Sequence, residues 1–150
     1  MDKKTTMGKS DLNKKWFMAF AVALAVATVF IGLWVYEKND NSEIEQLCQI
    51  NASQALSDFR KYEDSHSEGD YWQGVSNFKA FLNTWLTIEE RSSAEYLWCN
   101  SVYGFMVLQP EKVQQNMDKV LDALEIIGSD YTHPSGYLKI QELDNILKHE

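Results

Sequence analysis

The sequence predicts an all-α protein in which one N-terminal transmembrane helix precedes a soluble five-helix antiparallel bundle or a short stack of helical hairpins. The first reason is an uncharged run of 21 residues at positions 16–36. The second is that apolar residues in the rest of the chain recur at three- and four-residue steps, which is the helical period. The third is that the chain has two prolines and seven glycines, too few for a turn-rich β-fold.

The uncharged run is predicted to be a membrane anchor. At about 1.5 Å per residue it covers roughly 30 Å as a helix, which is the thickness of the hydrocarbon core of a bilayer. Trp16 lies at one end, and Trp34 and Tyr36 lie at the other, where aromatic side chains favour the headgroup regions. The core of a signal peptide is shorter, about 7 to 15 residues. A cleaved signal peptide is therefore the alternative to a retained anchor.

The distribution of lysines predicts the orientation of the anchor. Five lysines precede it and only Lys38 follows it closely, and the lysine-rich side of an anchor stays in the cytoplasm. We therefore expect a single-pass protein of the cytoplasmic membrane with its C-terminal domain outside. The predicted parts are a basic cytoplasmic tail (1–15), the transmembrane helix (16–36), a polar junction (37–41) and an exported acidic helical domain (42–150).

The part of the chain after the span is strongly acidic. Five of the 14 basic residues and two of the 22 acidic residues precede the span, so 9 basic and 20 acidic residues remain and give a net charge of −11. Such a surface repels nucleic acid, whose binding requires lysine and arginine. It favours solubility, and it would attract a basic protein or cations.

The first two bundle helices are predicted after the polar junction. The first is predicted to begin at Ser42, because Ser42 and Glu45 fit the capping-box pattern, and the second is predicted after Asp70, a favourable N-cap. The apolar stripe of the first comprises Ile44, Leu47, Cys48, Ala52, Ala55, Leu56, Phe59 and Tyr62. The stripe of the second comprises Trp72, Val75, Phe78, Leu82, Trp85 and Leu86.

Three further helices complete the predicted bundle, and short connections between them favour antiparallel neighbours. The third covers about 92–108 and is expected to bury Ala94, Leu97, Trp98, Val102, Phe105 and Met106. The fourth extends from Pro110 to Gly128, because proline favours the first turn of a helix and glycine its C-cap. It is expected to bury Val113, Met117, Val120, Leu121, Leu124 and Ile127. The fifth follows Pro134 and is expected to bury Leu138, Leu143, Ile146 and Leu147.

Cys48 and Cys99 are the only cysteines, and both lie in the predicted exported domain. Oxidising conditions outside the cytoplasm permit a disulfide between them. That bond would join the first helix to the third and contribute about 3 to 4 kcal/mol by restricting the unfolded chain. Two buried thiols that never meet are the alternative, because free cysteine is commonly buried.

The sequence contains no motif of a catalytic, metal or cofactor site. His66, His133 and His149 are the three histidines, and no His-Glu-x-x-His, Cys-x-x-Cys, Gly-x-Ser-x-Gly or glycine-rich phosphate-binding pattern occurs. Asp130 lies three residues before His133, which is more typical of a solvated loop than of a site. We therefore expect a protein that is not an enzyme and has no cofactor or metal.

Aromatic residues on the second and third helices are the predicted partner-binding residues. Rings with polar tips are frequent at protein interfaces, although aromatic residues at helical spacing are normally interior. Tyr71, Tyr96 and Tyr103 are expected to lie nearest to the surface. The full set is Tyr71, Trp72, Trp85, Tyr96, Trp98 and Tyr103.

A second contact surface is predicted within the span. Ala21, Ala25, Thr28 and Gly32 share one helical face. Small residues let transmembrane helices approach closely. This face would therefore suit a homodimer or docking on another membrane protein.

These features together predict a membrane-anchored adaptor or assembly module whose exported acidic domain binds another protein. Two other functions fit the same sequence. One is an immunity or inhibitor protein that neutralises a basic toxin, for which the acidic surface would be complementary. The other is a module that binds cell-wall glycans by stacking tryptophan rings on sugars.

Overall fold

The computed structural model describes the backbone of residues 9–88 and 91–149, and the side chains of residues 20, 22–34, 42–88 and 91–149. Most of the described residues are helical and none is in a strand, so the predicted all-α class is confirmed. The helices are α1 (Lys9–Ser65), α2 (Glu68–Trp85), α3 (Ala94–Leu108), α4 (Pro110–Gln115), α5 (Met117–Ser129) and α6 (Pro134–His149).

The chain divides into two compact units, residues 1–40 and 41–150. In the first unit every described side chain, at positions 20 and 22–34, is exposed. Among the described residues, no helix combines the length and the apolar character that crossing a membrane requires. Within the predicted span, the side chains at 16–19, 21, 35 and 36 lie outside the described residues.

In the second unit, α1 packs against α2 and α5 and satisfies polar groups at the end of α5. Gly74 of α2 lies so close to α1 that a Cβ there would be 2.7 Å from the ring of Phe59. Ser53 Oγ donates a hydrogen bond to the Gly128 carbonyl oxygen (2.9 Å), and Gln49 Nε2 donates one to that of Ser129 (2.7 Å). The last carbonyls of a helix have no partner within the helix. These two side chains therefore donate hydrogen bonds to backbone carbonyl oxygens at the end of α5.

Helix α6 packs against both α3 and α5. A Cβ at Gly136 would lie 2.6 Å from Ile127 Cγ1 of α5, so α5 and α6 are also in close contact. On α6, the buried carboxylate of Asp144 accepts a hydrogen bond from Lys148 Nζ at 2.5 Å. Lys148 on the same helix therefore pairs one oxygen of this carboxylate, Oδ2, whereas the buried Oδ1 has no hydrogen-bond partner among the described residues.

The fourth predicted helix is wrong as a single element, because Asn116 divides it into α4 and α5. The backbone of Asn116 leaves the helical region (φ −117°, ψ 29°). Its Nδ2 donates to the Lys112 carbonyl oxygen at 3.1 Å, and its own carbonyl oxygen accepts from the Lys119 backbone N–H. Asparagine competes for backbone hydrogen bonds in this way and therefore favours helix ends.

Other sequence predictions fail in their details. The helix start predicted at Ser42 is wrong, since this residue lies inside α1. Leu47, Leu97 and Leu138 were expected in the core but are 50%, 55% and 57% exposed. In α3 and α6 the buried stripe is rotated from the predicted one. The buried apolar residues of these helices are Cys99, Val102 and Met106 in α3 and Tyr137, Ile140, Leu143 and Leu147 in α6.

We predict that Gly74→Ala lowers the free energy of unfolding by about 1 to 3 kcal/mol, because the added methyl overlaps the Phe59 ring and forces repacking. Gly69→Ala in the first turn of the same helix is the matched control, since its nearest neighbour would be Ser67 Oγ at 3.5 Å. Urea denaturation followed by tryptophan fluorescence measures both. Equal stability of the two variants would contradict the close packing of α1 and α2.

Candidate functional site

The six aromatic residues predicted to bind a partner are spread along an antiparallel pair of helices. Tyr71 in the first turn of α2 bonds to Met106 near the end of α3, and Trp85 at the end of α2 contacts Tyr96 at the start of α3. Tyr71 and Trp72 therefore lie at one end of the pair, and Trp85 and Tyr96 lie at the other. The set does not form one cluster.

Tyr71 is a core residue, so the expectation that it lies near the surface is wrong. It is fully buried, and its hydroxyl donates to the Met106 carbonyl oxygen at 3.0 Å. Its ring lies edge-on to those of Tyr62 and Trp72, each with centroids 5.3 Å away. A tyrosine can be buried completely when its hydroxyl finds such an acceptor. Burial also raises the pKa of Tyr71 above its usual value.

The remaining aromatic residues are mostly packed against the core. Tyr96, Trp98 and Tyr103 are partly buried against it, and Lys79 Nζ lies 4.5 Å above the centre of the Tyr103 ring. Trp72 is the most exposed of the six, at 43%. Most of the aromatic surface that was predicted to bind a partner is therefore packed against the core of the bundle.

Trp85 is the centre of an aromatic stack at the end of α2. Its ring is nearly parallel to that of Phe81 (centroids 5.6 Å apart) and to that of Tyr137 on α6 (4.8 Å), with an angle of 18° in both cases. Tyr96 of α3 lies at 6.4 Å. Stacking of this kind stabilises beyond simple burial, so it joins α2, α3 and α6 at this end of the bundle.

A cavity of about 280 Å³ opens beside this stack, at the loop between α5 and α6. Glu95 at the start of α3 gives it a carboxylate, and Thr132 gives it a hydroxyl. Asp130 fixes the loop by accepting hydrogen bonds from Thr132 Oγ1 (2.6 Å) and the Thr132 backbone N–H (3.0 Å). These bonds lower the pKa of Asp130. The lining residues are Trp85, Glu95, Tyr131, Thr132, Pro134 and Tyr137.

The outward side of α3 is an apolar surface of the bundle that no other described element covers. Leu97, Ser101, Gly104 and Leu108 lie opposite the buried residues of the same helix, and the two leucines are 55% and 79% exposed. A shallow cavity of about 270 Å³ lies on this side, lined by Ser101, Gly104, Phe105, Leu108 and Gln109. We call Leu97, Ser101, Gly104 and Leu108 the outer face of α3.

Sequence reasoning missed the outer face because it assigned Leu97 to the core. A signal for it was nevertheless present. Helix α3 carries a single charged residue, Glu95, in 15 residues, and apolar residues occur on every side of it. A helix that is apolar on all sides is normally covered on all sides.

Part of the predicted contact surface in the span is described. The Ala21 side chain lies outside the described residues, whereas Ala25, Thr28 and Gly32 are exposed. Thr28 Oγ1 donates to the Ala25 carbonyl oxygen at 2.8 Å, which satisfies the hydroxyl within the helix. An added Cβ at Gly32 would meet no atom within 4 Å, so no described group covers this face at Gly32.

Both cysteine thiols are free and fully buried, so no disulfide joins Cys48 to Cys99 in the structure. Burial, with a smaller contribution from Glu45, raises the pKa of Cys48 to about 11. Burial also raises the pKa of Cys99, assisted by Glu95 and Asp144. Thiols in this state are poor nucleophiles, because the thiolate is the reactive form.

Within the described residues, no group of three or more histidine, cysteine, aspartate or glutamate side chains is placed to hold a metal ion. Comparison of the chain with protein-family models, with curated proteins and with solved structures found no match. The cavity beside Trp85 and the outer face of α3 are therefore interpreted from their own geometry.

We predict that the chain becomes less stable as pH rises from 8 to 10 in the presence of a reductant. Cysteine in the unfolded chain loses its proton near pH 8.5, whereas both folded pKa values are raised. The unfolded state therefore binds fewer protons in this range, and the free energy of unfolding falls, by on the order of 1 to 2 kcal/mol per thiol at pH 10. Urea denaturation at each pH measures the decrease.

The double variant Cys48→Ala/Cys99→Ala is the control for this prediction. It should start from a lower stability, because two side chains are truncated in the core, but its stability should change less between pH 8 and 10. A decrease as large as that of the native chain would show that other groups cause the pH dependence.

Proposed function

We propose that the chain is a membrane-anchored protein-interaction module, an adaptor or assembly subunit, with its acidic helical domain outside the cytoplasmic membrane. The outer face of α3 is the observation that supports protein binding. Exposed leucines at both of its ends would lose contact with water on binding, at about 25 cal/mol per Å² of apolar surface. A partner that covers this face would complete the burial of a helix that has almost no charge.

The anchor is supported by the sequence of residues 16–36 and by the side chains described there. Phe20, Phe30 and Leu33 are each more than 60% exposed, and no charged residue occurs in this range. Lipid can accommodate apolar side chains that point in all directions from one helix. The lysine-rich tail would remain in the cytoplasm, and the domain with a net charge of −11 would lie outside.

An immunity or inhibitor protein for a basic toxin is the second candidate, and a different observation favours it. The cavity beside Trp85 contains the carboxylate of Glu95 among aromatic rings, and such rings attract cationic side chains. Stacking on sugars requires open rings, and Trp85 is 4% exposed, so glycan binding would depend on Trp72, which is 43% exposed. Salt separates the first two functions, since screening weakens charge-driven binding and leaves apolar contact largely intact.

We predict that Leu97→Gln/Leu108→Gln decreases photo-crosslinking from α3 about thirtyfold, because each of the two lost leucine contacts is worth on the order of 1 kcal/mol. The full-length chain would carry a photoreactive residue in place of Ser101 and would be irradiated in intact membranes at low and at high salt. Adducts would be identified by mass spectrometry.

Leu138→Gln is the control, because Leu138 on α6 is 57% exposed, close to the 55% of Leu97. It should leave the adducts unchanged. Adducts that persist in the double variant would contradict binding at the outer face, and adducts that disappear at high salt would favour the immunity candidate.

A further inference from the structure

We infer that the outer face of α3 is a contact between two copies of this chain, packed antiparallel about a two-fold axis that passes between Ser101 and Gly104. This inference rests on the proposed function and names the partner of its surface. It depends on the spacing, the symmetry and the charge of the face.

The four residues of the outer face have the spacing of a helix–helix seam. They follow one another at steps of four, three and four residues, which is the alternation that keeps one side of a helix against a partner helix. The two central residues are small, and an added Cβ at Gly104 would meet no atom within 4 Å. A second helix could therefore approach closely at the centre and pack between the leucines.

The order of the residues is the same in both directions. From either end it reads leucine, small residue, small residue, leucine, with the same steps. A two-fold interface requires a surface that is complementary to itself. In antiparallel packing, Leu97 of one copy would contact Leu108 of the second copy, and Ser101 would contact Gly104 of the second copy. Binding of an unrelated protein would not require the residues to follow the same order in both directions.

The charge distribution allows self-association at this face. Two copies of an acidic domain repel each other where carboxylates meet. Glu95 is the single charged residue of α3, and it lines the aromatic cavity instead of the outer face. The exposed sides of α5 and α6, by contrast, carry Asp122, Glu125 and Glu142, the first two of which form salt bridges with Lys139 and Arg60.

The shallow cavity on α3 has the form that a second helix would fill. Four of its lining residues, Ser101, Gly104, Phe105 and Leu108, stand at positions i, i+3, i+4 and i+7. These are the four positions that surround a side chain of the facing helix in knobs-into-holes packing. In the proposed register, Ser101 of the second copy would face the centre of this hole, and Leu97 of the second copy would contact its Leu108 end.

The contact is expected to be weak unless the chains share a membrane. Helix α3 has 15 residues and is therefore about 22 Å long, which is too short to bury the roughly 800 Å² per partner of a stable interface. Attachment to one membrane would raise the effective concentration of the second copy. The test therefore uses the full-length chain in its membrane.

Cysteine pairs test the register directly. Two differently tagged copies are co-expressed, one carrying Leu97→Cys and the other Leu108→Cys, or one carrying Ser101→Cys and the other Gly104→Cys, and mild oxidant is added. The native chain is the background, since Cys48 and Cys99 are buried. Leu97→Cys in both copies is the matched control, because antiparallel packing separates these positions by about 16 Å along the helix, beyond the reach of a disulfide.

The mixed pairs are expected to form disulfides about tenfold more readily than the control, because only the mixed pairs bring Cα atoms within about 7 Å. Equal crosslinking of the control, or no crosslinking of mixed pairs whose thiols react freely with a maleimide, would overturn the inference. If mixed pairs fail while Leu97→Gln/Leu108→Gln still abolishes adducts with a different protein, the proposed function stands and the second copy is excluded.

Discussion

Close packing of side chains from neighbouring helices on glycine is the constraint on which the rest of the bundle depends. Gly74 lets α2 pack directly on Phe59 of α1, and Gly136 lets α6 pack directly on Ile127 of α5. With α2 and α6 held in this way, Trp85 and Tyr137 can stack at 4.8 Å. That stack limits where α3 can lie, so the inner side of α3 is covered and its outer face is left open.

The helices predicted correctly from the sequence are those whose apolar stripe and end residues indicate the same bounds. The all-α class follows from the helical period, and α6 begins at Pro134 as predicted because proline favours the first turn. The break at Asn116 was missed, because an uninterrupted apolar period continues through it from Val113 to Met117. The local hydrogen bond of the asparagine side chain interrupts the helix at this position, although the apolar period continues.

The candidate site was harder to predict for a related reason. When apolar residues occur on all sides of α3, the period does not show which stripe enters the core, and Leu97 was placed there wrongly. Tyr71 illustrates the opposite error, because a polar tip does not keep a ring at the surface when a backbone carbonyl accepts its hydrogen bond. The outer face of α3 thus emerged only from the packing of α2 and α6 around the helix.

The proposed anchor and the outer face of α3 support each other physically. A small apolar contact gains effective strength when both partners are restricted to one membrane, whereas the acidic surface mainly affects the rate of encounter and the choice of partner. The account therefore requires that residues 16–36 are retained as the anchor and that the domain lies on the outer side of the cytoplasmic membrane.

Thiol labelling in intact cells with a membrane-impermeant maleimide tests this requirement most directly. The native thiols cannot report it, because both are buried, so an exposed position such as Asn83 is changed to cysteine and compared with Ser10→Cys in the tail. The account predicts immediate labelling of Asn83→Cys, labelling of Ser10→Cys only after lysis, and a mass near the full 17.3 kDa. The reverse labelling pattern, or a chain shortened by removal of residues 16–36, would contradict it.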